Sequence, residues 1–290
     1  MSMTVTATGS SGEYNGTYLY IRCVSGAKEA GGASADVTDG ASNNSLTPND
    51  TNSLPFWALT VFGVEVTLAA EANNTILEQF EDAGNGNTFG AGDYTGTVTG
   101  GTPVTLGSTS ESSNCSVAAY EIEPASGSGG TTPVIDSANS PAFASSTSAD
   151  TITSAAFTPA SGDVIVVMAG SSAFDATTPA MAITDTGGLT FTQRAAGVYG
   201  NFGGAWIFTA TVPAAYTRTA SLTVTPAFTT ARARGRARTA SLTVVPSFTA
   251  PASVSGALTR TAALTVVPSF TATRVRTVPP PGNLMLAFPF

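Results

Sequence analysis

Glu121 and Glu123 stand two residues apart in Val117-Ala118-Ala119-Tyr120-Glu121-Ile122-Glu123. A strand puts both carboxylates on one face, the pairing that glycoside hydrolysis uses. At the end of a strand that stops at Pro124, such a pair is expected to face solvent, and a carboxylate-dependent glycoside hydrolase is kept as an alternative. Asp82, Asn85 and Asn87 offer oxygens in a Gly-rich stretch, but they lack the spacing of a calcium loop and read as a turn. The chain contains no histidine. That absence removes Ser-His-Asp and Cys-His catalysis, and with them the commonest zinc ligand. The two cysteines, Cys23 and Cys115, form no CxxC. Alternation places Cys23 on the face of Leu19 and Ile21, so it reads as a buried free thiol, with a Cys23–Cys115 disulfide as the alternative. The expectation is therefore no catalytic residue, no metal and no cofactor.

Contact chemistry is better represented. Tyr14, Tyr199 and Phe202 have glycines close by in segments that read as loops, so they are candidate surface contacts and could stack on sugars. Trp57 and Trp206 lie in apolar runs and read as core. Arg232, Arg234 and Arg236 alternate with small residues, so an extended chain would present a row of guanidinium groups. No aromatic residues interleave them, which argues against nucleic acid. The expected partner is an acidic protein surface, the N-terminal half of this chain included, with a merely solvated face as the alternative.

The elements that must position these groups are strands. Charged residues make up 10% of the chain, against about 25% in ordinary soluble domains. Thr, Ser, Ala and Gly replace them, a mixture suited to short strands and tight turns. Thr17 to Val24, Phe56 to Val64, Val117 to Ile122, Asp163 to Ala169 and Trp206 to Val212 read as strands. Several are apolar throughout, as burial on both faces requires. Thr75 to Phe80 reads as a short strand or a helical turn. Met181 to Phe191 reads as a hairpin turning at Gly187-Gly188. No run of about 18 apolar residues occurs, so membrane insertion is not expected. The first residues lack a basic segment leading into an apolar run, so no signal peptide is read.

This divides the chain into a β-sandwich module at 1–126 and a flexible linker at 127–130 (Gly127-Ser128-Gly129-Gly130), then a second module at 131–215, each Ig-like or jelly-roll-like. The two look like distant copies. Thr47-Pro48 and Thr158-Pro159 precede buried strands, Asp82 to Phe89 parallels Asp185 to Phe191, and Tyr120 to Ala125 parallels Trp206 to Ala214. A repetitive β region at 216–277 follows. Arg218 to Thr229 recurs as Arg238 to Thr249 and as Arg260 to Thr271, at spacings of 20 and 22 residues. Charge changes sign at its border: residues 1–217 hold all 19 acidic groups against three basic ones, and the rest hold eight arginines and no acid.

One repeat cannot bury its own apolar face, so copies are expected to stack. A symmetric homotrimer is the first expectation. Its candidate assembly contacts are Leu222, Val224, Phe228, Leu242, Val244, Phe248, Leu264, Val266 and Phe270. The Pro-stiffened apolar tail at 278–290 adds Leu284, Leu286, Phe288 and Phe290, which are expected to dock on a neighbour.

Leu77 to Ala125, with Phe80-Glu81-Asp82, Phe89-Gly90-Ala91 and Ala118 to Pro124, resembles minor tail or appendage proteins of tailed actinobacteriophages. So do Ile183 to Arg194 and the terminal repeats. The resemblance implies a structural virion component, a minor tail protein or a capsid decoration or head fibre, made in the host cytoplasm. Its partners would be itself, other virion proteins and a host surface glycan. A carbohydrate-binding adhesin module is the alternative function.

Overall fold

Phe56-Trp57-Ala58-Leu59-Thr60-Val61 and Val164-Ile165-Val166-Val167-Met168-Ala169 present apolar groups at both odd and even positions. A strand of that kind needs a protein layer on each side. The computed structural model describes residues 2–10, 16–126, 130–172 and 180–213 and supplies those layers. The fold is all-β, with no helix among the described residues.

In chain order the strands begin with β1 (Val5–Gly9), β2 (Gly16–Ser25), β3 (Ala27–Lys28), β4 (Ser34–Gly40), β5 (Asn43–Leu46) and β6 (Leu54–Val61). Then come β7 (Asn74–Asp82), β8 (Asn87–Tyr94), β9 (Val104–Gly107), β10 (Cys115–Pro124), β11 (Val134–Asp136) and β12 (Ala144–Ser146). The last are β13 (Thr151–Thr153), β14 (Val164–Ser172), β15 (Met181–Asp185), β16 (Thr192–Tyr199) and β17 (Gly203–Thr211).

Two antiparallel sheets form the centre. One runs β10-β6-β8-β7, with β3 and β4 sharing the outer edge of β10. The other runs β2-β14-β17-β16, with β11 and β12 sharing the outer edge of β2. Their inner faces meet through Tyr18, Tyr20, Phe56, Phe89, Tyr120, Ile122, Val166, Met168 and Ile207. The outer face of the β14 sheet packs Leu19, Ile21, Ile165, Val167 and Trp206 under a three-stranded layer, β13-β1-β15. The outer face of the β6 sheet packs Trp57, Leu59, Val61 and Val117 under the pair β5-β9. Four layers therefore explain why the central strands lack the polar-out alternation of a simple sandwich.

The expected division into two self-contained modules is corrected by this pairing. β1 and β2 open the chain, yet they lie in the layers built by residues 134–211. β2 pairs with β14 from Gly16–Ser172 to Val24–Val164. The edge of β14 and the apolar face of Ile165 and Val167 need cover, and the N-terminal strands provide it. The strand order nevertheless repeats. β3, β4, β5, β6, β7, β8, β9 and β10 correspond in placement and partners to β11, β12, β13, β14, β16, β17, β1 and β2. β15 has no counterpart. The hairpins β7-β8 and β16-β17 even share a bulge early in their first strand, at Ile76/Glu78 and at Gln193/Ala195. β9 and β10 start 11 residues apart, as do β1 and β2. The second half thus takes its last two strands from the other end of the chain.

Of the three expected parallels between the modules, Thr47-Pro48 with Thr158-Pro159 does precede the matching strands β6 and β14. The other two shift: the counterpart of the β7-β8 turn is the β16-β17 turn, and that of β10 is β2. Met181 to Phe191 is not a hairpin, because β15 pairs with β1. The Asp185 carboxylate instead accepts the backbone N–H groups of Gly187 and Leu189, which turns the chain away. Thr75 to Phe80 lies within strand β7. The repeat region and the tail lie outside the described residues.

Candidate functional site

β6 and β14 are matching central strands of facing sheets, and the chain segments at their C-terminal ends meet. Phe62 and Gly63 leave β6 while Ser172 ends β14. Beside them stand the two corresponding turns: Asn85 and Asn87 from β7-β8, Tyr199 and Phe202 from β16-β17. Asn114 precedes β10. These eight residues line a cleft of about 350 Å³, and none of them is charged. The backbone there adopts conformations that suit Asn and Gly, with φ of 57° at Asn114, 77° at Gly63 and 50° at Gly200.

Three rings form one wall. Tyr199 and Phe202 stack with centroids 5.1 Å apart and planes 19° apart, and Phe62 lies 5.4 Å from Tyr199 and 6.5 Å from Phe202. Phe62 is 5% exposed and anchors the group, while Phe202 is 36% exposed. Hydrogen bonds hold the polar wall. The Tyr199 hydroxyl donates to Asn114 Oδ1 (3.3 Å), and Phe62 N–H donates to the Asn114 carbonyl (2.9 Å). Gly63 N–H donates to Asn87 Oδ1 (3.1 Å). Asn85 Nδ2 donates to Asp82 Oδ2 (2.7 Å) and to the Thr147 carbonyl (3.2 Å). Ser172 Oγ accepts from Gly16 N–H (3.1 Å).

Both oxygens of Asn87 and Asn114 are therefore committed, which orients their amide groups. Among the described residues their Nδ2 groups have no acceptor, so each has donors to give. A neutral wall of ring faces beside oriented amides and a hydroxyl suits a ligand with one apolar face and a hydroxylated edge. Among the described residues no three Cys, Asp or Glu side chains group as metal ligands.

The structure brings Tyr199 and Phe202 together, and Asn85 and Asn87 join them as cleft walls. Phe62, Asn114 and Ser172 were not singled out in the sequence. Phe62 reads as strand core, and Asn114 carries only a weak signal, an Asn flanked by Ser and Cys before an apolar strand. Tyr14, Arg232, Arg234, Arg236 and all the candidate assembly contacts from Leu222 to Phe290 lie outside the described residues.

The carboxylates require a correction. Glu121 and Glu123 share a face as expected, but that face is covered, and they are 0% and 3% exposed. Loop residues 29–33 and 48–50 fold over them. Glu121 Oε2 accepts Ala33 N–H and Asn49 N–H, both at 2.8 Å, and Oε1 accepts Asp50 N–H at 2.9 Å. Glu123 pairs with Lys28. Three backbone donors on one carboxylate make it a fastener for a loop. Asp82 forms a turn, its carbonyl accepting Asn85 N–H and Gly86 N–H. Both cysteines are free and buried. Cys23 lies under the outer face of the β14 sheet and Cys115 under that of the β6 sheet, two layers apart.

The chain matches no family model, and no curated protein or solved structure is similar to it.

Proposed function

We propose that this protein is a contact component of a virion surface that binds a neutral saccharide in the aromatic–amide cleft without transforming it. The carrying observation is the stacked pair Tyr199 and Phe202 beside the oriented amides of Asn87 and Asn114. A pyranose has an apolar face of C–H groups and a rim of hydroxyls, which matches rings on one wall and amide donors on the other. The absence of charge among the described lining residues supports a neutral sugar over an acidic one. Tyr199 and Phe202 come from the second half and the three amides from the first, so binding requires both sheets to be docked. The virion setting is supported by the resemblance of residues 77–125 and 183–194 to phage tail and appendage proteins.

The test is a glycan array probed with the full chain, followed by calorimetric titration of the best ligand. Binding to neutral hexose-containing glycans is expected, and Tyr199→Ala or Phe202→Ala should weaken it about tenfold each. Unchanged affinity in both variants, with wild-type melting temperatures, would sink the assignment of the site. Asn87→Ala and Asn114→Ala in the full chain would sink it too if both bound as well as wild type.

A further inference from the structure

Each amide on the polar wall of the cleft has one end committed and the other open. Asn85 Nδ2 donates to Asp82 Oδ2 (2.7 Å) and to the Thr147 carbonyl (3.2 Å), so both its protons are used and its Oδ1 stays free to accept. Asn87 Oδ1 accepts Gly63 N–H (3.1 Å), and Asn114 Oδ1 accepts the Tyr199 hydroxyl (3.3 Å). The Nδ2 of each is thereby left to donate. Asp82 is fully buried and Asn87 is 6% exposed, so protein rather than solvent holds these orientations. Among the described residues, the buried polar atoms without a partner include Asp82 Oδ1 but not Asn85 Oδ1, Asn87 Nδ2 or Asn114 Nδ2. Those three atoms therefore open on the cleft that their residues line.

The cleft thus presents one fixed acceptor and two fixed donors beside three aromatic rings. A sugar hydroxyl both donates and accepts, so it makes little demand on which kind of group it meets. An acetamido group is stricter. Its carbonyl oxygen only accepts, its N–H only donates, and its methyl group needs apolar cover. Asn87 or Asn114 can supply the donor, Asn85 the acceptor, and the rings of Phe62 and Phe202 the cover. The cleft of about 350 Å³ is of the size that takes a small ligand. An ionised amine or carboxylate in the same place would meet no opposite charge among the described lining residues.

We propose that the cleft selects 2-acetamido sugars, the N-acetylhexosamines, from among neutral saccharides. This rests on the reading of the cleft as a saccharide site and adds what the polar wall recognises. The acetamido carbonyl oxygen accepts from the Asn87 or Asn114 amide, and the acetamido N–H donates to Asn85 Oδ1. Tyr199 is then a positioning residue as well as a stacking one, because its hydroxyl fixes which end of the Asn114 amide is free.

Calorimetric titration of the full chain with the methyl β-glycosides of N-acetylglucosamine and of glucose compares ligands that differ only at C2. The N-acetylglucosaminide is expected to bind about 10–100-fold more tightly, the effect of two added hydrogen bonds. The Asn87→Asp, Asn114→Asp double variant keeps both accepting Oδ1 atoms and replaces both free donors by acceptors. Both glycosides should weaken in it, and their affinities should become equal. Equal affinities for the wild-type chain, both weakened by Phe202→Ala, would overturn the acetamido selection and leave the saccharide site standing. A folded double variant with the wild-type preference overturns it as well. Binding of neither glycoside, or binding that Phe202→Ala leaves unchanged, removes the saccharide site and this inference with it.

Discussion

The phenol of Tyr18 on β2 donates to the carbonyl oxygen of Gly90 on β8, 3.1 Å away, and so joins the two central sheets through the core. Its ring fills the space that a side chain at Gly170 would occupy, and such a Cβ would also stand 2.8 Å from Thr60 Oγ1 of the opposite sheet. Tyr18→Phe keeps the packing and should cost about 1 kcal/mol. Gly170→Ala forces the sheets apart and should cost about 1–3 kcal/mol or more. Urea titration measures both, and a neutral Gly170→Ala would mean that the sheets do not approach as described.

Glu121 supplies a second measurable quantity. Glu121→Gln replaces an acceptor by a donor that faces backbone N–H groups, and the charge that strengthened three bonds is lost. We expect destabilisation of about 2–4 kcal/mol, with faster hydrogen exchange at Ala33, Asn49 and Asp50. Exchange rates unchanged at those amides would contradict the fastening role.

Burial pushes the thiols of Cys23 and Cys115 up to about 12, with Asp163 and Asp136 adding to the shift at Cys23 and Glu111 at Cys115. A thiol-specific reagent at pH 8 should therefore label neither cysteine in the native protein and both in guanidinium. Reductant should leave the melting temperature unchanged. A reductant-sensitive melt would show the layers arranged differently.

Asp93 on β8 lies near Arg22 of β2, which also feels Glu78 of β7. Burial raises the Asp93 carboxyl above its ordinary value of 3.8, and its backbone hydrogen bond and the Arg22 guanidinium offset only part of this. The folded state therefore binds this proton more tightly than the unfolded chain. Its contribution to stability is present in full below pH 3.8 and declines as pH rises through the raised value. Asp93→Asn should melt above wild type at pH 7, and that advantage should shrink towards pH 4. Parallel melting curves across that range would remove Asp93 from the pH response.

Much of the fold was legible because strand character is local. The both-faces-apolar runs at Phe56 to Val61 and Val164 to Ala169 announced central strands, and the alternation of Leu19, Ile21 and Cys23 gave the face of a buried thiol. The site was legible in part. Tyr199 and Phe202 stood out by their glycine-bordered loops, while Asn114 and Phe62 joined them only through the docking of two sheets. Glu121 and Glu123 were placed on the right face, but the sequence carried no sign that residues 29–33 and 48–50 would cover it.

The sequence by itself determined which segments extend and which of their faces are apolar, because side chains alternate with a period of two along any strand. Only the tertiary structure decided which strands neighbour one another. Pairing joins residues as distant as Gly16 and Ser172. It is settled by which exposed edge and which uncovered apolar face remain when the rest has packed, a competition that no stretch of ten residues records. The N-terminal strands therefore belong to the second half, although every local signal assigned them to the first.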